Sequence, residues 1–258
     1  MANFPGTLMK SYNMTSITQG GPAYSWLSIM FSATSIQMAH TTFISMAMAK
    51  NGVSDLAKGA ACLGNMFGFA MFILTDLYYI FVAKSFPSAI PMEGEYFNIV
   101  VWTVMVIISY MGWKSAGGEM PEGFVMPFGR PKWGLILSIA NFIPYIILSI
   151  FMPEMFVDMY SPGVVAGFPA QVKELIFMIA TAMGRMMFAN VVATLLITEA
   201  GSETDLYRVQ RAWVYMGFMF MALQGAVGMV FDANNWDAPM KVVRMTCVPC
   251  KGKSLCAL

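Results

Sequence analysis

Long apolar runs, separated by shorter polar or Gly/Pro-rich stretches, recur six times along the chain. They cover about 25–49, 59–83, 97–114, 133–152, 174–198 and 212–231. A helix needs roughly 20 apolar residues to cross a hydrocarbon layer of ~30 Å, so each run is long enough or, for 97–114, nearly so. The pattern predicts an all-α fold, a polytopic membrane helix bundle of about six transmembrane helices over 25–231. A polar segment, 1–24, precedes it and a polar, Cys-containing tail, 232–258, follows. Aromatic residues mark several run ends: Tyr24, Trp26, Tyr78, Tyr79, Trp113, Trp133 and Trp213. Amphipathic rings favour the membrane–water boundary, and these are expected there.

Turn chemistry fills the connections. Asn51-Gly52 joins the first two runs, with Ser54 as the expected N-cap of the second. The stretches 114–132 and 153–173 carry several Gly and Pro and read as loops rather than helices. Residues 1–23 hold no apolar core segment, so the first run is expected to act as its own targeting signal.

Composition agrees with the membrane reading. The chain is 58% hydrophobic and only 11% charged, against about 25% charged in soluble domains. A net charge of +1 gives no bulk attraction to nucleic acid. Lys and Arg in the connections ought to set the orientation, but they divide evenly. Lys10, Lys84, Lys173, Lys241, Arg244, Lys251 and Lys253 fall on one side, and Lys50, Lys58, Lys114, Arg130, Lys132, Arg208 and Arg211 on the other. Without the tail, the second group marks the cytoplasmic face. Asn13-Met14-Thr15 is a glycosylation acceptor if the N-terminus is luminal. The tail cysteines Cys247, Cys250 and Cys256 suit lipidation if the tail is cytosolic.

The two halves carry faint echoes of each other. Leu63-Gly64-Asn65-Met66 parallels Met183-Gly184-Arg185-Met186, and Ile73-Leu74-Thr75-Asp76 parallels Leu196-Ile197-Thr198-Glu199. Two inverted three-helix repeats would produce such echoes, with a site near the midplane between them; chance in an apolar chain produces them too.

Polar residues inside apolar runs are expensive, which makes each a candidate. Arg185 sits near the middle of the fifth run and Asp76 toward the end of the second. Those helices run antiparallel in a serial bundle, which leaves the two residues about 8 Å apart in depth. An Asp76–Arg185 pair follows, serving either as a gate, a coupling site or an anion-binding Arg, or as a buried lock on helix register. Gln37, His40, Asn65, Asn141 and Asn190 complete the candidate pathway. Ser28, Ser32, Ser35 and Thr42 form one stripe on the first helix, either lining a wet pathway or packing against a neighbour. Ala60, Gly64 and Gly68 form a packing face on the second helix. Pro144, one turn after Asn141, leaves the Ala140 carbonyl without its usual partner and kinks or opens the fourth helix.

Several chemistries lack their residues. No Lys lies mid-run for a retinal Schiff base, one His cannot ligate haem from both sides, and no HExxH motif occurs. Methionine is abundant, at 27 residues, but thioethers without His or Cys nearby are better read as adaptable core filler than as a copper site. No catalytic residue, metal site or cofactor is indicated. Three classes remain: a small-solute or ion transporter or channel with a polar site at mid-membrane, a non-catalytic structural or scaffold subunit of a larger membrane assembly, for which pigment or lipid are candidate ligands, and, with least support, an enzyme. The lipid bilayer is the one partner implied directly; a homo-oligomer or larger membrane complex fits the second class.

Overall fold

The computed structural model describes residues 17, 21–83, 92–120, 130–160 and 163–233. The Asn13 acceptor, Lys10, Lys84, the basic tail residues and Cys247, Cys250 and Cys256 lie outside the described residues. The chain is helical, and no strand occurs among the described residues. Helix α1 is Pro22–Met48, α2 Asp55–Leu77, α3 Met92–Ser115, α4 Arg130–Phe151, α5 Pro153–Tyr160, α6 Ala170–Ala200 and α7 Glu203–Ala233. A π-helical turn, Tyr78–Ala83, extends α2.

Among the described residues, four segments are long and apolar enough to cross a membrane: Asp55–Leu77, Tyr96–Ser115, Trp133–Phe151 and Ala170–Ala200. Helix α1, at 27 residues, is equally long, but Ser, Thr, Gln and His recur along it.

Local chemistry accounts for the helix ends. The Ser54 side chain accepts a hydrogen bond from the Ala57 amide at 3.2 Å and caps α2. Gly52, at φ 79°, makes the turn before it. Two stretches expected as loop are helical instead. Residues 153–160 form α5 because Pro153 is preorganised for a first turn and Phe156 and Val157 find buried positions. Helix α7 begins at Glu203 rather than near 212, because Ser202 and Asp205 cap each other. The Ser202 amide donates to Asp205 Oδ2 at 3.1 Å, and the Asp205 amide to Ser202 Oγ at 3.3 Å. The early start changes one aromatic placement: Trp213 lies ten residues into α7, about 15 Å from its start, and is buried, as is Trp26 in the first turns of α1.

Helix α6 is the axis of the bundle, packed against α1, α2 and α4. Helix α7 lies on α1 and α4, and α3 lies on α2. Gly64 and Gly68 of α2 face Ala193 and Ala189 of α6 so closely that a Cβ at either glycine has no room. If the halves were exchanged, α7 would have to sit on α6 as α3 sits on α2. It sits chiefly on α1 instead.

Trp102 anchors α3, stacking on Phe72 at 4.8 Å and on Phe69 at 5.8 Å between ring centroids. Further along, Gly112 leaves room for the Cys62 sulfur. Trp102→Ala is expected to cost roughly 2 kcal/mol, less than truncation of a fully buried Trp. Half-buried Cys62 should then react faster with a maleimide, as peptide mapping would show. An unchanged Cys62 rate would mean that α3 is held by something other than this stack.

Candidate functional site

The sequence candidates separate into distinct places. Arg185 and Asn190 are five residues apart on α6, which turns them about 140° from each other around the helix axis. Each therefore meets a different neighbour.

On the α2 side, Arg185 Nη1 lies 3.5 Å from Asp76 Oδ1. Arg185 is 3% exposed and Asp76 14%. The guanidinium also stands over the Phe72 ring, 5.7 Å from its centroid. Charge, cation–π contact and the Trp102 stack thus lie in one row from α6 through α2 to α3.

On the α1 side, a second polar group is buried more deeply. Asn190 Nδ2 donates to the Gln37 carbonyl and to Gln37 Oε1, both at 3.2 Å. Asn190 Oδ1 lies 2.8 Å from the Thr41 hydroxyl, which also approaches the Gln37 carbonyl at 3.1 Å. One turn on, Thr194 Oγ1 donates to the Asn190 carbonyl at 2.7 Å and accepts from Trp213 Nε1 at 3.0 Å. Trp213 meets the His40 ring edge-to-face at 4.6 Å and the Phe142 ring at 5.2 Å. These contacts join α1, α6 and α7 through the buried Gln37, His40, Asn190, Thr194 and Trp213 and the part-buried Thr41.

That group is incompletely satisfied. Gln37 and His40 are both 0% exposed. Gln37 Nε2 and both His40 ring nitrogens have no hydrogen-bond partner among the described residues. Turning the Gln37 amide over does not help, since it would set Nε2 against the donating Asn190 amide.

The other candidates lie apart from both groups. Asn65 Nδ2 donates to Ser45 Oγ at 3.1 Å, tying α2 to α1. It borders a recess of about 360 Å³ that also meets Asp55, Lys58, Cys62 and Ser115. Asn141 is exposed on α4, which continues through Pro144. The hydroxyl stripe on α1 also faces outward at Ser32, Ser35 and Thr42. Its hydroxyls donate to their own helix four residues back, at 2.8 Å from Ser28, Ser32 and Ser35 and 3.1 Å from Thr42.

Thr41, Thr194 and Trp213 were not sequence candidates, although they complete the α1–α6–α7 group. Hydroxyls at ordinary helical spacing carried no signal. Trp213 carried one, an indole N–H that needs a partner when buried, but its placement near a run end concealed it. No family model, curated protein or solved structure matches the chain.

Proposed function

We propose that the protein is a small-solute or ion transporter or channel whose mid-membrane site is the group formed by Gln37, His40 and Asn190. In this reading all six long helices cross the bilayer, and the Asp76–Arg185 pair holds α2 against α6. The inverted repeat is left out of it, because α3 and α7 have different kinds of neighbour. One observation carries the reading: the buried nitrogens of Gln37 and His40 that have no hydrogen-bond partner among the described residues. Leaving such groups unsatisfied costs about 1–3 kcal/mol each. Water, an ion or a solute admitted in another state would satisfy them. A neutral imidazole offers one donor and one acceptor, and the Gln37 amide adds a donor, which suits a small polar solute or a proton.

The test is flux through the full chain in proteoliposomes, with protons, potassium and chloride as first probes and a small polar solute as the next. His40→Phe removes the two imidazole nitrogens and leaves Gln37 Nε2 in place. It is expected to lower flux about tenfold, equivalent to about 1.4 kcal/mol, while leaving thermal stability equal or higher. A purely structural His40 would leave flux untouched.

The second reading, a scaffold subunit, is favoured by α3, which exposes Phe97, Val104, Ile108 and Met111 along its outer side. Absence of flux for every probe, together with a stoichiometric partner after native purification, would select it.

A further inference from the structure

A second recess opens outward between the end of α1 and the first turns of α7, with a volume of about 290 Å³. Its polarity follows its depth. Lys50, Arg208 and Arg211 stand at the bundle end. Met46 and Phe43 lie four and seven residues back along α1, about 6 and 10 Å deeper. Tyr215 lies four residues beyond Arg211, about 6 Å deeper on α7. The Phe43 and Tyr215 rings meet at 6.0 Å at the deep end. No carboxylate among the described residues lines the recess. Arg208 is tied to buried Asp205 at 3.2 Å and reaches the Asn51 carbonyl at 3.5 Å. Lys50 and Arg211 are exposed, and neither is paired with a carboxylate among the described residues.

Two unpaired cations over an apolar slot reproduce the layout of a phospholipid with an anionic head. The slot opens sideways, since Met46 is 61% and Tyr215 56% exposed, so an acyl chain can enter from the surrounding lipid. We infer that this recess binds one anionic phospholipid, with its phosphate between Lys50 and Arg211 and an acyl chain against Phe43, Met46 and Tyr215. Arg208 is held by Asp205 and frames the site. The inference needs the chain to lie in a membrane but not to transport anything. It also assigns Lys50, Arg208 and Arg211 to the leaflet richer in anionic lipid, which the even division of cations along the sequence left undecided.

The test uses the full chain in detergent, titrated with phosphatidylglycerol or phosphatidylcholine and read by native mass spectrometry. Phosphatidylglycerol should bind at least tenfold more tightly, and added salt should reduce the difference. Lys50→Gln/Arg211→Gln should weaken phosphatidylglycerol alone, by roughly 10- to 30-fold. Both residues are exposed, so an unchanged melting temperature would certify the variant's fold. If the double variant fails to fold, the single variants with the salt series decide. Equal retention of the two lipids, or full retention by the variants, would overturn the assignment. Displacement by inorganic phosphate at equal concentration would also overturn it, reducing the site to a phosphate contact.

Discussion

Asp76→Leu is expected to destabilise the protein by about 3–5 kcal/mol, the usual cost of breaking a buried ion pair from one side. The variant leaves Arg185 at 3% exposure with its carboxylate partner gone. A guanidinium cannot shed its proton to escape, and the face of Phe72, 5.7 Å away, compensates only a small part of the charge. Arg185→Met is expected to cost less, about 1–3 kcal/mol. Asp76 is the more exposed partner, so its charge is more easily hydrated when the counter-charge is removed. The ordering Asp76→Leu worse than Arg185→Met is therefore a stricter test than either loss alone.

The double variant Asp76→Leu/Arg185→Met closes the cycle. Replacing both charges by apolar side chains of similar size should restore stability to within about 1–2 kcal/mol of the parent, since a buried pair contributes little net stability once its desolvation is counted. The measurement is the unfolding free energy in mixed micelles titrated with SDS, for the parent, both single variants and the double. Additive losses would show that the 3.5 Å approach carries no coupling. If flux is lost in the double variant although stability returns, the pair acts in the transport cycle as well as in the fold.

How much of this was legible in the sequence depends on the solvent. In lipid the outer face of a helix is as apolar as its inner face, so periodicity says that a helix exists but not which way it faces. Helices α2, α3, α4 and α6 were readable from the length of their apolar runs. The outward direction of Ser32, Ser35 and Thr42, and the inward direction of Gln37 and His40 on the adjacent face, were not. Asp76 and Arg185 stood out because a charge in an apolar run has no ordinary explanation. Gln37 and Asn190 stood out singly, but 153 residues separate them, and nothing local announces their contact. The start of α7 was missed for a different reason. Its first turns are polar and charged, and the reciprocal cap of Ser202 and Asp205 makes helix there without an apolar run.

The contact of α2 with α6 is close, and two glycines there are expected to respond differently. A Cβ at Gly64 would meet the backbone of Ala193, including its nitrogen at 2.7 Å, as well as its side chain. A Cβ at Gly68 would meet chiefly the Ala189 side chain, with the Ala189 Cα at 3.4 Å. Backbone cannot step aside, so Gly64→Ala must push the helices apart, at about 3 kcal/mol or somewhat more. Gly68→Ala should be partly rescued by Ala189→Gly, which removes its main obstacle. Gly64→Ala should be rescued far less by Ala193→Gly, because the Ala193 nitrogen and Cα would remain in the way. The four unfolding free energies, read in the same SDS titration, decide the matter; equal rescue at both positions would mean that side chains alone set the helix separation. The same contact brings Asp76 within reach of Arg185. Gly64→Ala and Asp76→Leu should therefore combine to less than the sum of their separate costs, since the first already draws apart the pair that the second removes.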